Sequence, residues 1–289
     1  AALYRANPDM VETKEVMDNL RACMLFAREQ SNLEDILEID RNWNIASYPS
    51  NLPVRKWGVI KQGERVAEQE RRRLGIGYAP IENLPELLDS EGIRTRQADL
   101  PDDISGFTMN DQNVGPFIVI NKNHAANRKR YSYAHEYAHV LMDCHTLGLV
   151  SRESKRAELV EVRANAFAAA FLMPERGIRQ YLAGIGKDKV QRAQTSLYDE
   201  SGVVPIDVRP TGKREISLYN VIQLAHHFGV SKLSVLYRLL NLRIINQSEH
   251  EHLLEEDKRI GAKLASYAEL DMEPHDVSPK TSVHRLWKP

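Results

Sequence analysis

Residues 135–139 read His-Glu-Tyr-Ala-His, an H-E-x-x-H pattern inside a stretch that reads as one continuous helix. Residues four apart in a helix share a face one turn apart, so the imidazoles of His135 and His139 can converge on one metal ion. Glu136 then lies beside that ion, where its carboxylate can take a proton from a bound water. The donor set suits Zn2+, and the chemistry it predicts is peptide-bond hydrolysis. The plainer alternative is two hydrogen-bonded histidines on a core helix.

Zinc hydrolases hold the metal with three protein ligands and leave a fourth position to water, so a third ligand is required. His145 follows His139 by six residues, which is the ligand spacing of metzincins. That arrangement breaks the helix at a glycine with positive φ. This chain carries Met142 there, where a left-handed backbone is costly. Glu161 is the other candidate. From 157 to 172, Val160, Ala164, Phe167, Ala168 and Phe171 recur at helical spacing as an apolar face, with Glu161 and Asn165 four apart on its flank. A glutamate followed four residues later by Asp or Asn is the pattern of thermolysin-like zinc sites. There the first residue ligates zinc and the second holds a histidine ring by a hydrogen bond. Glu153 and Glu158 lack such a partner and read as solvated carboxylates at a helix start. The sequence therefore nominates His135, His139 and Glu161 as metal ligands, Glu136 as the base and Asn165 as the residue that orients a ligand. The oxyanion donor is open among His124, Tyr133, Tyr137 and His145.

Three segments in order resemble the ImmA/IrrE family of metallopeptidases: Arg-Tyr-Ser-Tyr-Ala-His-Glu-Tyr-Ala-His at 130–139, Glu-Val-Arg-Ala-Asn-Ala-Phe-Ala at 161–168 and Phe-Leu-Met-Pro at 171–174. Members typically read R-F-T-x-A-H-E-x-G-H, then E-x-E-A-N-x-F-A, then L-L-M-P. The likeness is close over 115–180 and looser over 60–245. It departs at Ala138, where the family has glycine, and at Arg163, where it has a second glutamate. The second departure leaves Glu161 as the ligand and brings a cation near the site. The resemblance implies a zinc-dependent endopeptidase of the thermolysin-like (gluzincin) kind. Its substrate would be a specific regulatory protein, a helix-turn-helix transcriptional repressor, cut in a stress or mobile-element response. Some relatives are fusions with an upstream DNA-binding domain, and the start at Ala1, without methionine, is expected to mark such a C-terminal part. The competing function is a DNA-binding transcriptional regulator whose zinc-peptidase-like domain serves as a sensor or oligomerisation platform.

The elements that must position these residues are legible as patterns. Amphipathic helices are predicted at 9–30 and 62–74, with a short one at 85–89. Strands are predicted near 93–96, 104–109 and 117–121, the last as an edge strand that lines the cleft and pairs with an extended substrate. The fold class is α+β, mainly helical: a thermolysin-like minimal metallopeptidase core with a small three-stranded or similar sheet, then a helical region. The domain reading is 1–60 as N-terminal helix and connector, 61–182 as the zinc metallopeptidase domain, 183–246 as a helical, helix-turn-helix-like region and 247–289 as a charged helical tail. Within 221–240, Gly229 supplies a turn and Leu224, Ala225, Val230 and Val235 fall at packing positions. Lys232, Ser234 and Arg238 lie on the second helix, and the unit is open between DNA contact and a structural or partner-binding role. The runs Arg71 to Arg73 and Arg128 to Arg130 read by default as solvated faces.

Composition narrows the class. A formal net charge of −1 over 289 residues gives no global field to recruit nucleic acid or an acidic membrane. Two cysteines, Cys23 and Cys144, cannot build a disulfide framework and suit a reducing cytoplasm. The longest apolar run, 164–173, is too short to span a bilayer, so no membrane partner is expected; an oligomer is left open.

Overall fold

Between residues 94 and 152 the β-branched and aromatic residues gather into four short strands. The structure, a computed structural model, describes residues 14–39, 45–48, 51–111, 114–143, 148–152, 157–186, 194–199, 202–207 and 216–269. Strands β1 (Arg94–Ala98), β2 (Ile104–Asp111), β3 (Gly115–Asn121) and β4 (Gly148–Arg152) form one mixed sheet in the order β1-β3-β2-β4. β1 runs parallel to β3, and β2 pairs antiparallel with both β3 and β4. β3, expected at an edge, is instead central, paired on both sides and buried along its whole length. Its continuous run Phe117-Ile118-Val119-Ile120 is what a strand covered on both faces requires. β4, which sequence patterning missed because only Leu149 and Val150 are apolar, holds the edge beside β2.

The two faces of the sheet receive different helices. α1 (Lys14–Ile36) lays Cys23 and Ala27 against Phe107, Met109, Phe117, Val119 and Val150. Asn19 donates to the Asp99 carbonyl at 2.9 Å, Glu34 pairs with Arg94 at 2.5 Å, and Arg96 lies 4.0 Å from the Phe26 ring centroid. Along β2 odd-numbered residues face α1, yet Ile104 joins the same cluster. A register shift between Ile104 and Gly106 accounts for this, since one extra residue reverses the alternation. The other face, with Gly106 and Thr108, meets α4 (Ala126–Met142), which carries the two histidines.

α2 (Lys56–Arg73) and α5 (Leu159–Leu172) approach to backbone contact at Gly63. A Cβ there would stand 2.5 Å from the Arg163 carbonyl oxygen and 2.9 Å from the Phe167 nitrogen. α4 meets α5 through an aromatic cluster: Phe167 and Phe171 stack at 5.2 Å, and Tyr137 stands edge-on to them at 5.9 and 5.6 Å. Each fully buried ring contributes about 1.5–3 kcal/mol by burial alone. On the outer side of Tyr137 a buried carboxylate, Glu70, accepts from the Tyr137 hydroxyl, from Tyr48 at 2.7 Å and from Arg73 at 2.6 Å. Tyr48 also donates its backbone N–H to Leu141 at 2.9 Å, which sews the connector onto the end of α4.

The arginine runs are not uniformly solvated. Arg72 and Arg128 are exposed, but Arg71 is buried and donates to the carbonyls of Gly77 (2.7 Å), Ala79 and Phe171. Arg130, also buried, donates to the carbonyls of Ile81 and Glu82 just ahead of α3 (Leu84–Ser90). Guanidinium groups serve here as multidentate caps for loop carbonyls, a use that spacing in the sequence does not reveal.

The chain divides into two compact units. Among the described residues, one comprises those up to Met173 with 228–231, and the other comprises Pro174–His227 and those from Lys232 on. The expected division at 60/61 falls inside α2, and α1 belongs with the sheet rather than apart from it. The second unit contains α6 (Glu175–Gly184), the antiparallel pair β5 (Gln194–Asp199) and β6 (Gly202–Asp207), most of α7 (Leu218–Phe228), α8 (Lys232–Asn241) and α9 (Gln247–Glu269). The strand pair lies in a stretch expected to be helical; its β-branched Thr195, Val203, Val204 and Ile206 favour the extended backbone. Chain reversal between α7 and α8 uses Gly229 at φ 62°, a conformation glycine adopts without cost. Among the described residues no helix is long and apolar enough to cross a membrane.

Candidate metal centre

α4 brings His135 and His139 to its α5-facing side one turn apart, with ring centroids separated by 4.9 Å. Glu161 stands in the first turn of α5, where the helix dipole favours a carboxylate. Its Oε2 lies 3.0 Å from His135 Nε2 and its Oε1 lies 3.4 Å from His139 Nε2, while the two Nε2 atoms are 3.2 Å apart. All three residues are buried and could hold a metal ion. Glu158 is exposed at the N-cap of α5, whereas His145, Cys144 and Glu153 lie outside the described residues.

The far side of each ring is held by an oxygen. His135 Nδ1 meets Asn165 Oδ1 at 3.1 Å, and the Asn165 carbonyl accepts from the Tyr131 hydroxyl at 2.9 Å. His139 Nδ1 meets Asp143 Oδ2 at 2.9 Å. Each contact puts a proton on Nδ1 and turns the Nε2 lone pair inward. Two such lone pairs and a carboxylate at these distances repel unless a cation lies among them. Ligands about 2.1 Å from one tetrahedral ion stand about 3.4 Å from each other, so the residues present fit a zinc-sized ion.

Electrostatics without a metal tell the same story. Burial alone would lower the pKa of His139, but hydrogen bonds to Asp143 and Glu161 raise it to about 10. Burial would raise Glu161, and hydrogen bonds from His135 and His139 outweigh it, lowering the carboxyl to about 2.

Glu136 packs against β2. Thr108 Oγ1 donates to its Oε2 at 2.5 Å, and Oε1 is buried with no hydrogen-bond partner among the described residues. Gly106 makes room for it: a Cβ at that position would lie 2.7 Å from Oε1 and 3.0 Å from Cγ. Burial raises the Glu136 pKa, against the lowering influence of the two histidines and of the Thr108 and Ser151 hydroxyls. Of the oxyanion candidates, the Tyr137 hydroxyl is committed to Glu70, and His124 Nε2 lies 3.1 Å from the Asp102 carbonyl. Tyr133 is fully buried.

Four residues close to the centre escaped the sequence reading of the site or were not given a partner: Gly106, Thr108, Asp143 and Arg163. Arg163 is buried and forms an ion pair with the free oxygen of Asp143. Only Asp143 carried a local signal, four residues beyond His139 on the same helical face.

Comparison with known proteins bears on this geometry. One family model, Peptidase_M78, described as IrrE N-terminal-like domain, matches residues 88–240, just over half of the 289-residue chain. A search of curated proteins finds no match.

Proposed function

The chain belongs to the Peptidase_M78 (IrrE N-terminal-like) family of metallopeptidases, and from that premise we propose that it is a zinc-dependent endopeptidase. The observation that carries the reading is the buried convergence of His135, His139 and Glu161 with Glu136 beside them. In it, His135, His139 and Glu161 hold Zn2+, and Asn165 orients His135. When bound, zinc would supply Lewis-acid chemistry, making water acidic enough to attack near neutral pH and polarising the scissile carbonyl.

Glu136 handles the proton. Its unpartnered Oε1 accepts it from the attacking water while Thr108 keeps Oε2 in place. The new C–O bond forms first, and the same oxygen then returns the proton to the amine nitrogen as the C–N bond breaks. Burial at Gly106 and Thr108 keeps the carboxylate from turning toward bulk water. The edge expected of β3 passes to β4, whose outer side can pair with an extended substrate segment.

The proposed substrate is a helix-turn-helix repressor cut in a stress or mobile-element response, and the proposed compartment is the cytoplasm, which suits the free buried Cys23. The regulator reading rests on α7 and α8 joined at Gly229. On α8, however, Arg238 is buried and Lys232 is paired with Asp257 at 2.5 Å, and the exposed side chains include Leu233 and Tyr237. That face suits a protein partner better than a phosphate backbone.

The test compares zinc-loaded wild type with Glu136→Gln on a host proteome, reading new N-termini by mass spectrometry. Expected are cuts by the wild type alone, with about one zinc in both proteins and none in Glu161→Ala. Identical N-termini from wild type and Glu136→Gln would overturn the peptidase reading.

A further inference from the structure

The proposed reaction leaves one ion pair, a buried arginine with a half-buried aspartate, unused. Asp143 is the residue that ends α4, and it divides its carboxylate between two partners: Oδ2 meets His139 Nδ1 at 2.9 Å and Oδ1 forms an ion pair with Arg163. Arg163 is 2% exposed, and its other terminal nitrogen donates to Gln62 Oε1 on α2 at 3.5 Å. Gln62 in turn donates to the Asn51 carbonyl at 3.3 Å. α5 therefore reaches both histidines, directly through Asn165 to His135 and indirectly through Arg163 and Asp143 to His139.

We propose that Asp143 and Arg163 are a positioning pair for His139: Asp143 fixes the ring with Nε2 toward the ion, and Arg163 fixes Asp143 and offsets its charge. The inference rests on the zinc reading of the same site.

Two physical arguments support it. A carboxylate at a helix end has free rotamers, and a hydrogen bond to a metal ligand helps only if the acceptor is itself held. Arg163 holds it from a second helix, through a group whose fork suits a carboxylate. The charges also close. Glu161 is buried, Asp143 is half-buried at the end of α4, and Arg163 offsets the charge that Asp143 adds beside the ligands. Without Arg163 the loaded cluster would keep an unbalanced anion at a largely shielded position, which is costly. The buried Arg163 thus has a local reason: it matches Asp143.

Zinc affinity tests the pair without reference to cleavage. Dissociation constants would be measured by competition with a chromophoric chelator for wild type, Asp143→Asn, Arg163→Gln, Arg163→Lys and the double variant Asp143→Asn/Arg163→Gln. Thermal midpoints of the metal-free chains and absorption spectra of the cobalt(II)-loaded ones accompany them. Asp143→Asn should weaken zinc by about 10- to 100-fold and shift the cobalt bands. Arg163→Gln should shift the same bands, and Arg163→Lys, which keeps the charge, should lie nearer the wild type.

The double variant separates positioning from folding. It removes the stranded buried charge, so the metal-free midpoint should recover while zinc stays at least about tenfold weaker. Recovery of wild-type zinc affinity along with the midpoint would reduce the pair to a structural ion pair and overturn the proposal. Unchanged affinity and spectrum in Asp143→Asn, or in Arg163→Gln, would do the same. A wild type that takes up no zinc would remove the zinc reading itself, and the pair's role with it.

Discussion

Gly106 is where a single methyl group should separate the base from the metal. Replacing it by alanine puts a Cβ 2.7 Å from Glu136 Oε1, 3.0 Å from Glu136 Cγ and 3.0 Å from Ile120 Cδ1. Ordinary carbon–oxygen contact lies near 3.4 Å, so something must move by roughly 0.5–1 Å. β2 cannot retreat, because it is paired on both sides, and Ile120 lies on the central strand. The carboxylate is the movable part, and its Oε2 is held by Thr108 at 2.5 Å. Overpacking of this kind costs about 1–3 kcal/mol, and a 1 Å displacement of a reacting group can cost about 100-fold in rate. At roughly 2–4 °C per kcal/mol for a chain of this size, the midpoint should fall by several degrees. Zinc content should stay at one per chain, since no ligand touches Gly106. The assay is single-turnover cleavage of the substrate found by N-terminal mapping, with differential scanning calorimetry beside it. Gly106→Ala/Glu136→Asp gives a sharper control. A carboxylate shorter by one methylene clears the new methyl group, so the midpoint should recover while turnover does not. If Gly106→Ala cleaves within about threefold of wild type at an unchanged midpoint, the packing of Glu136 against β2 has been misjudged.

Two further outcomes follow from charge. In the metal-free chain His139 holds a proton to about 10 and Glu161 is ionised down to about 2. Zinc uptake near pH 7.5 should therefore release about one proton, and apparent affinity should rise roughly tenfold per pH unit toward 10. Calorimetry in buffers of different ionisation enthalpy reads the number, and zero release would contradict the assignment. The sign for stability is opposite: a raised histidine stabilises the metal-free fold fully below about 6.5 and loses that contribution as pH climbs through about 10. At Glu70, burial pushes the carboxyl up, but bonds from Arg73, Tyr137 and Tyr48 win and bring it below the ordinary carboxylate value. Its contribution is present above about 4.5 and fades as pH falls. Glu70→Gln should cost about 1.5–3 kcal/mol at pH 7 and less at pH 4 by denaturant titration. A pH-independent difference would speak against an ionised, bonded Glu70.

What the chain declares in its own order is what one helix can declare. The i, i+4 spacing of His135 and His139 and of Glu161 and Asn165 is fixed by 3.6 residues per turn, so each pair shares a face before any packing occurs. The apolar face of 157–172 and the unbroken run of β3 are equally local, and they announce burial. Packing decided the rest. Contact between α4 and α5 depends on three aromatic rings, and contact between α2 and α5 on the absence of a side chain at Gly63, neither of which periodicity encodes. β3 became central and β4 the edge because of pairing between strands distant in sequence. Thr108 and Gly106 reach Glu136 across 28 and 30 residues, and Arg163 reaches Asp143 across 20. A buried arginine and a strand glycine look, in one dimension, like a charge and a gap. Only the fold brings the carboxylate that each one serves.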